Sequence, residues 1–269
     1  MNVAELLARV TGRTAPRKAA PVAVQRVTGS SPRDFLGAYR LYRRRIPARQ
    51  RESFENILRW RSEFEAARPD RRARFEDYLL LAKAGSKVAG LLYGQYYPRT
   101  RLLLISYLVT DDRCPERQQV LPAILDALVR LGEGELRECA GLVFEVEHPD
   151  TSSRPMRCRA REGLFRALAR ERGMELRRLD IPYQQPRLSL WDPALREEPH
   201  HLMYARTRPP GLSDAAPRSE IATLLDAVYN DWYGDRYAAK PRRDAEYREY
   251  LADLCRALVA RLPDPVPLK

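Results

Sequence analysis

Apolar residues recur along the chain at two spacings, one near 3.6 residues and one of two residues, and these spacings predict alternating helices and strands. Positions 22–27 alternate as a first strand, and helical spacing follows over 35–42 and 54–64. Further strands are predicted over 78–82, 87–96, 102–109, 140–146, 176–183 and 201–206, with helices over 120–131 and 156–172. This order, β-α-α-β-β-β-α-β-α-β-β, predicts a main domain of mixed α/β class.

Two more apolar stripes at helical spacing lie beyond Pro209-Pro210-Gly211 and predict a helical tail. The first comprises Ile221, Leu224, Leu225, Val228 and Trp232, and the second comprises Tyr247, Tyr250, Leu251, Leu254, Leu258, Val259 and Leu262. Both stripes must be covered, so the tail packs on the rest of the chain or on a partner. We divide the chain into an N-terminal extension and linker (1–21), a main domain (22–208) and a C-terminal helical extension (212–269).

The most informative segment is a strand, a turn and a helix over 100–131. The strand ends in the turn Asp111-Asp112-Arg113-Cys114-Pro115-Glu116-Arg117-Gln118, and an apolar helix face follows. A strand that delivers its carboxyl end to a helix N-terminus builds an anion site from free backbone N–H groups and the helix dipole. Phosphate sites of this kind usually contain glycine, because phosphate must approach the backbone closely. This turn contains none.

The charge of the chain is strongly positive and comes from arginine. The net charge is +12, and only five of the 48 basic residues are lysine. Arginine binds phosphate and carboxylate bidentately, although such a bias is also typical of a GC-rich genome. Runs such as Arg43-Arg44-Arg45 are either solvated helix faces or a surface that attracts an acidic protein or RNA.

Other features of the composition favour a cytoplasmic protein without a metal. No apolar run approaches the roughly 18 residues of a membrane-spanning helix, and the first ten residues lack the apolar core of a secretory signal. The four cysteines are scattered without metal-type spacing, which indicates unpaired thiols. His200 and His201 are neighbours on a predicted strand and point to opposite faces, so they do not readily share a metal ion.

The element order, with the strand, turn and helix at its centre, resembles the GNAT (Gcn5-related N-acetyltransferase) superfamily over residues 22–206. The resemblance implies a mixed, mostly antiparallel central sheet flanked by helices, and an N-acyltransferase that uses acetyl-CoA or another acyl-CoA as co-substrate. In that family the central strand ends near the pantetheine arm, and an Arg/Gln-x-x-Gly-x-Gly/Ala turn binds the pyrophosphate. The resemblance therefore implies that Tyr107, Leu108 and Val109 line the pantetheine and that Arg113, Arg117 and Gln118 face the pyrophosphate.

Two departures from the family pattern affect this site. Glu116, Gln118 and Val120 fall about where glycines or small residues belong, and Arg117 is the residue there that still suits phosphate. Members of the family typically carry a tyrosine general acid four residues before the glycine that closes the last helix. Here that position is Ala169.

Acyl transfer to an amine needs a base for the amine proton and an acid for the leaving thiolate. Glu145 and Glu147 are the candidate bases, because they share one face at the end of the strand beside the cleft. Alternatively, both carboxylates form ion pairs with arginines such as Arg154 or Arg157. Tyr107 and Tyr183 are the candidate acids, and their alternative role is packing in the sheet.

Three functions remain open from the sequence. The first is an N-acyltransferase that moves an acyl group from acyl-CoA to an amine of unknown identity. The second is a catalytically inactive GNAT-fold binding or scaffold protein, which the glycine-free turn, Ala169 and the long tail favour. The third is an acyltransferase whose donor is bound to a large anionic carrier, either acyl carrier protein or aminoacyl-tRNA, for which the excess arginine supplies attraction.

Overall fold

The structure is a computed structural model, and it describes residues 21–27, 32–46, 75–152, 154–192, 194–207, 214–234 and 241–269. The helices of these residues are α1 (Pro32–Arg45), α2 (Arg117–Glu133), α3 (Pro155–Arg170), α4 (Arg218–Asp226) and α5 (Pro241–Ala260), with a π-helix over Ala227–Tyr233. The strands are β1 (Val22–Arg26), β2 (Glu76–Ala84), β3 (Lys87–Tyr97), β4 (Leu102–Thr110), β5 (Gly141–Glu147), β6 (Leu176–Arg178), β7 (Gln184–Gln185), β8 (Glu198–Arg206), β9 (Ala215–Ala216) and β10 (Val266–Pro267).

Eight of the strands form one central sheet. Its order is β1-β2-β3-β4-β5-β8-β6, and β7 pairs with the start of β8. The β4–β5 pair is parallel and its neighbours in the sheet are antiparallel. The predicted fold class, a mixed and mostly antiparallel sheet flanked by helices, is confirmed.

The parallel pair at the centre of the sheet is short. Its ladder runs from Leu102 opposite Gly141 to Ile105 opposite Phe144, although both strands continue beyond it. Ser106 is an extra residue in the pairing of β4 with β3, because Tyr93 pairs with Tyr107 and Gly94 with Ile105. Such a bulge bends the strand that carries it. The two central strands therefore part at Ser106.

Helices cover the sheet on both faces. The apolar side of α2 is buried as predicted, with Val120, Ile124 and Leu128 at most 4% exposed, and it packs with apolar residues of the sheet and of α3. The smaller α1 packs on the other face, where Leu41 and Tyr42 contact the apolar residues of β2 to β4. The glycine-free turn between β4 and α2 lies beside α1, because Arg44 and Arg45 at the end of α1 reach Asp111 and Asp112 of the turn.

The C-terminal extension packs on the sheet itself. Ile221, Leu225 and Val228 are 0% exposed and share one apolar cluster with Leu104 and Val143 of the central strands. Helix α5 contributes Tyr247, Leu251 and Leu258 to the same cluster. The predicted stripes are thus covered by the chain's own sheet, while the division into three segments stays a prediction.

One predicted strand is wrong in its length. Residues 176–183 form a strand only over Leu176–Arg178, and the chain then pairs with the C-terminal segment through Arg178 and Lys269, whose backbone groups exchange hydrogen bonds of 2.7 and 2.9 Å. Pro182 lacks an N–H group, which ends regular pairing before β7. The predicted helix over 54–64 and the extension over 1–20 lie outside the described residues.

The contact between β3 and α2 gives a stability prediction. A Cβ atom on Gly90 would lie 2.4 Å from Cγ1 of Val120, which is too close for either element to tolerate without moving. We expect Gly90→Ala to lower the free energy of unfolding by about 1–3 kcal/mol through overpacking, as measured by urea denaturation. The matched control is Gly163→Ala in α3, which meets no atom within 4 Å and should raise it by about 0.5–1 kcal/mol. If Gly90→Ala and the wild type had equal urea denaturation midpoints, the tight contact between β3 and α2 would be contradicted.

Candidate active site

A cavity of about 250 Å³ lies where β4 and β5 part. On the side of α2 and α3 its lining is apolar and includes Leu125, Leu128, Phe165, Ala169 and Met174. Towards the C-terminal extension the lining is polar and aromatic and includes Ser106, Glu145, Gln185, Trp232 and Tyr233. The cavity therefore joins the two faces of the sheet through the gap between the central strands.

Glu145 is held on the extension side by three neutral donors. The Tyr183 hydroxyl donates to Oε1, Gln185 Nε2 donates to Oε2 over 2.8 Å, and the Tyr233 hydroxyl contacts Oε1 and Oε2 at 3.0 and 2.8 Å. Burial, and secondarily the Glu145 charge, raises the pKa of Tyr183 well above its usual value. Tyr183 consequently stays a protonated donor at neutral pH and fixes the carboxylate in place.

Glu147 lines the same cavity but contacts α3 instead. Its Oε2 atom lies 3.6 Å from Cys158 Sγ and 4.0 Å from Arg161 Nη2. The alternative drawn from the sequence was that both carboxylates pair with arginines such as Arg154 or Arg157. Among the described residues Glu147 has one long ion pair, with Arg161, and Glu145 has none. The long separation and the half-exposed side chain leave Glu147 accessible to a ligand in the cavity.

The two predicted tyrosines occupy different surroundings. Tyr107 lines the cavity, half-buried, with its ring edge-on to Tyr42 at 4.9 Å and stacked on Tyr93 at 6.5 Å. Tyr183 is 2% exposed and its hydroxyl is engaged by Glu145. Tyr107 is the better placed of the two for a reaction in the cavity.

Leu108 and Val109, predicted to line a pantetheine arm, point to opposite faces of β4. Leu108 lines the cavity and packs with the apolar residues of the α2 side. The Val109 side chain is 4% exposed and packs in the cluster beneath α1. Any contact of Val109 with a ligand in the cavity would therefore involve its main chain.

The turn between β4 and α2 is tied to α1 by two ion pairs. Arg44 Nη2 lies 2.5 Å from Asp111 Oδ2, and Arg45 pairs with Asp112. Arg44 and Arg45 are exposed, in agreement with the predicted solvated helix face, and the two ion pairs add a contact that was not predicted. The two guanidinium groups offset the carboxylates that would otherwise repel an anion at this turn.

The three turn residues predicted to face a pyrophosphate, Arg113, Arg117 and Gln118, are exposed. Arg117 Nη1 approaches the Asp112 carbonyl oxygen at 3.5 Å, which places its side chain over the turn. The N–H groups of Arg117 and Gln119 already donate to carbonyl oxygens of the turn, at 3.1 and 2.8 Å. A phosphate at this turn would therefore depend on side chains more than on the backbone.

Trp232 and Tyr233 of the π-helix were not predicted as site residues. Trp232 Nε1 donates to Ser106 Oγ over 3.2 Å, at the residue where the strands part. Arg99, before β4, binds Asp226 and Asp231 of the extension at 3.0 and 2.6 Å and so holds the π-helix against the sheet. The sequence signal was the place of Trp232 in an apolar stripe, which predicts burial but not this contact.

The histidines do not form a metal centre in the described part of the chain. His201 Nδ1 lies 3.3 Å from Glu162 Oε2 and its ring contacts that of His148 at 4.4 Å, whereas His200 lines the cavity. The described residues contain no group of three or more histidine, cysteine or acidic side chains placed to hold a metal ion. Among the described helices, none combines the length and the apolar character needed to cross a membrane.

Comparisons with known proteins give likenesses of fold. No family model and no curated protein matches the chain. A GNAT-family acetyltransferase from Bacteroides thetaiotaomicron aligns with a TM-score of 0.48 and 16% identity over 81% of this chain and 99% of its own. A Bacillus subtilis acetyltransferase in complex with CoA gives 0.39 and 12% over 69% and 99%, and a GNAT family acetyltransferase from Elizabethkingia anophelis with acetyl-CoA bound gives 0.38 and 14% over 69% and 97%.

The hydrogen bonds to Glu145 give a second stability prediction. We expect Tyr183→Phe to lower the free energy of unfolding by about 1.5–3 kcal/mol, because the lost bond ends on a charged acceptor. Tyr229 is a matched control, since its buried hydroxyl donates to the neutral Gln184 carbonyl over 2.8 Å. Tyr229→Phe should cost about 0.5–1.5 kcal/mol in the same denaturation experiment. Equal losses for the two variants would contradict a charged Glu145 in the folded protein.

Proposed function

We propose that this protein is a GNAT-type N-acyltransferase that moves an acetyl or other acyl group from acyl-CoA to an amine. The observation that carries the proposal is the parting of β4 and β5 at Ser106, with a cavity through the sheet at that point. A thioester and an acceptor can bind there side by side, shielded from bulk water, with Glu145 and Glu147 of β5 among the lining residues. The resemblance in element order points to the same activity.

The donor would lie on the α2 side of the cavity. Leu108, Leu125 and Phe165 offer the apolar surface that a pantetheine arm needs. The exposed Arg113 and Arg117 of the turn before α2, outside the lining of the cavity, offer positive charge for the pyrophosphate. Arg113 and Arg117 replace with side chains what the missing glycines would have given through the backbone. The residues present thus suit acyl-CoA, with a greater dependence on arginine than the family pattern implies.

The chemistry would proceed at the gap between the strands. The amine nitrogen attacks the thioester carbonyl, a C–N bond forms, and the C–S bond breaks to release CoA thiolate. Glu147 takes the amine proton, because its carboxylate lines the cavity and is only loosely paired with Arg161. Tyr107 supplies a proton to the thiolate. Glu145, held by its three donors, contributes a fixed negative charge.

A binding or scaffold protein is the second candidate. Trp232 and Tyr233 occupy the extension side of the gap between the strands, and the Trp232 bond to Ser106 ties the extension to the bulge. In that case the aromatic residues fill the gap between the strands, and the protein catalyses no reaction in the cavity. A carrier-bound acyl donor is a variant of the leading proposal, in which the exposed Arg113 and Arg117 contact an anionic carrier protein or RNA.

A single substitution, Arg117→Ala, distinguishes between these proposed functions. We expect Arg117→Ala to weaken acetyl-CoA binding by about 10- to 150-fold, because a charge-assisted guanidinium–phosphate pair is lost. Isothermal titration calorimetry at low salt measures the change. Arg130→Ala is the matched control, since Arg130 is an exposed arginine in the last turn of the same helix.

The outcomes for Arg117 are distinct. Absence of binding by the wild-type chain, to acetyl-CoA and to longer acyl-CoAs, would contradict the proposed donor. If the wild type binds and Arg117→Ala binds equally well, the pyrophosphate lies elsewhere. In a scaffold, Arg117→Ala changes the free energy of unfolding by less than about 0.5 kcal/mol and has no ligand effect.

Glu147 gives the catalytic prediction. We expect Glu147→Gln to lower kcat by about 10²- to 10⁴-fold while leaving the Kd of acetyl-CoA within about twofold, because the base is lost and the donor site is not. Release of CoA thiol, followed with a chromogenic disulfide, measures the rate. Glu171→Gln is the control, as Glu171 is an exposed residue just beyond α3. Unchanged turnover in Glu147→Gln would exclude Glu147 as the base.

A further inference from the structure

The extension side of the cavity has a chemistry that its other side lacks. Glu145 lines this side, whereas Glu147 lines the cavity beside α3, and Arg161, paired with Glu147, is the one arginine or lysine among the described lining residues. This concentration of carboxylates contrasts with a chain of net charge +12. The lining of the cavity thus has more acidic than basic side chains in a protein whose net charge is positive, which indicates a specific role for these carboxylates.

The partners of Glu145 leave its charge without a cation. Each of its donors is neutral: two phenol hydroxyls and the amide of Gln185. Neutral donors hold a carboxylate in position but do not cancel its charge, so a cation that enters the cavity is attracted. In the described part of the chain, no guanidinium or ammonium group pairs with Glu145.

Aromatic rings complete the wall around this charge. The Trp232 and Tyr233 rings lie 5.0 Å apart at an angle of 53°, and both side chains line the cavity. Aromatic faces beside a carboxylate are the combination that binds ammonium groups, through the ring quadrupole and the opposite charge. Both rings come from the π-helix, and irregular helical turns of this kind are frequent at functional sites.

We infer that the C-terminal extension builds the acceptor end of the cleft, and that this end binds a primary amine as an ammonium ion between Glu145 and the Trp232 and Tyr233 rings. The inference rests on the proposed acyltransferase function, since it names the substrate class of the same cavity. The acceptor it selects binds with a positive charge at the reacting nitrogen and carries no carboxylate beside it, because Glu145 and Glu147 would repel a second anion. Before attack the ammonium gives one proton to Glu147, which frees the nitrogen lone pair. The nitrogen loses a second proton as the C–N bond forms, and this proton replaces the one that Tyr107 donates to the thiolate.

Equilibrium binding of small probes to the full chain tests this without acyl-CoA. Butylamine is an ammonium ion at pH 7, 1-butanol is its neutral counterpart, and butyrate is the anion. We expect butylammonium to bind at least about 10-fold more tightly than 1-butanol, with no detectable binding of butyrate, in a titration followed by tryptophan fluorescence and by ligand-observed NMR. Equal affinity for butylammonium and 1-butanol, or preference for butyrate, would overturn the inference.

Two variants locate the site. Glu145→Gln removes the charge and keeps one acceptor oxygen, while its amide NH2 group takes the place of the other, and we expect it to weaken butylammonium binding by about 10- to 100-fold. Glu171→Gln should leave the affinity unchanged. If Glu145→Gln does not fold, as judged by circular dichroism, Trp232→Phe serves instead, since it removes the larger ring face and should weaken binding several-fold. Unchanged affinity in the folded variants would contradict the placement.

Failure of the inference and failure of the proposed function give different results. If the chain binds acetyl-CoA and acylates amines but accepts neutral and anionic amines as readily as cationic ones, the ammonium site is wrong and the acyltransferase stands. If butylammonium binds selectively but no acyl-CoA binds, the ammonium site stands and the acyltransferase is wrong.

Discussion

The loss of pairing between β4 and β5 after Ile105 and Phe144 determines where a ligand can enter this sheet. A parallel pair at the centre of a sheet is normally closed by its hydrogen bonds and by helices on both faces. Here the bulge at Ser106 ends the ladder while both strands continue, so their facing edges border a cavity instead of each other. Residues from both helical layers then converge on that gap.

The order of the elements could be predicted from the sequence because each element carries its own local period. The α2 stripe from Val120 to Leu128 is buried as its spacing indicates, and the apolar run of β4 lies at the centre of the sheet. The segment 176–183 shows the limit of that argument. Its apolar residues fit a strand, and Leu179 still donates to the Leu202 carbonyl oxygen of β8, but Pro182 has no N–H group and regular pairing stops before it, which is an effect without a periodic signal.

The site could be predicted only in part, for a related reason. Glu145 and Glu147 lie in the last three residues of β5, where position in the strand alone indicates a functional side chain, and Tyr107 lies three residues before the end of β4. Tyr233 reaches Glu145 across 88 residues of sequence, and no pattern on either segment specifies that contact. Arg44 and Arg45 likewise look like a solvated run in sequence, and only the packing of α1 beside the turn brings them to Asp111 and Asp112.

The turn before α2 and the extension side of the cavity differ in charge, and this difference bears on how a transfer reaction would run. Arginines lie at the turn before α2, where a polyanionic donor would be held, while Glu145 and aromatic rings line the extension side of the cavity. A cationic amine placed between Glu145 and the π-helix loses its positive charge on acylation, because an amide nitrogen is not protonated at neutral pH. The attraction that holds the acceptor would therefore vanish with the reaction, and the neutral product would leave the site more readily than the substrate.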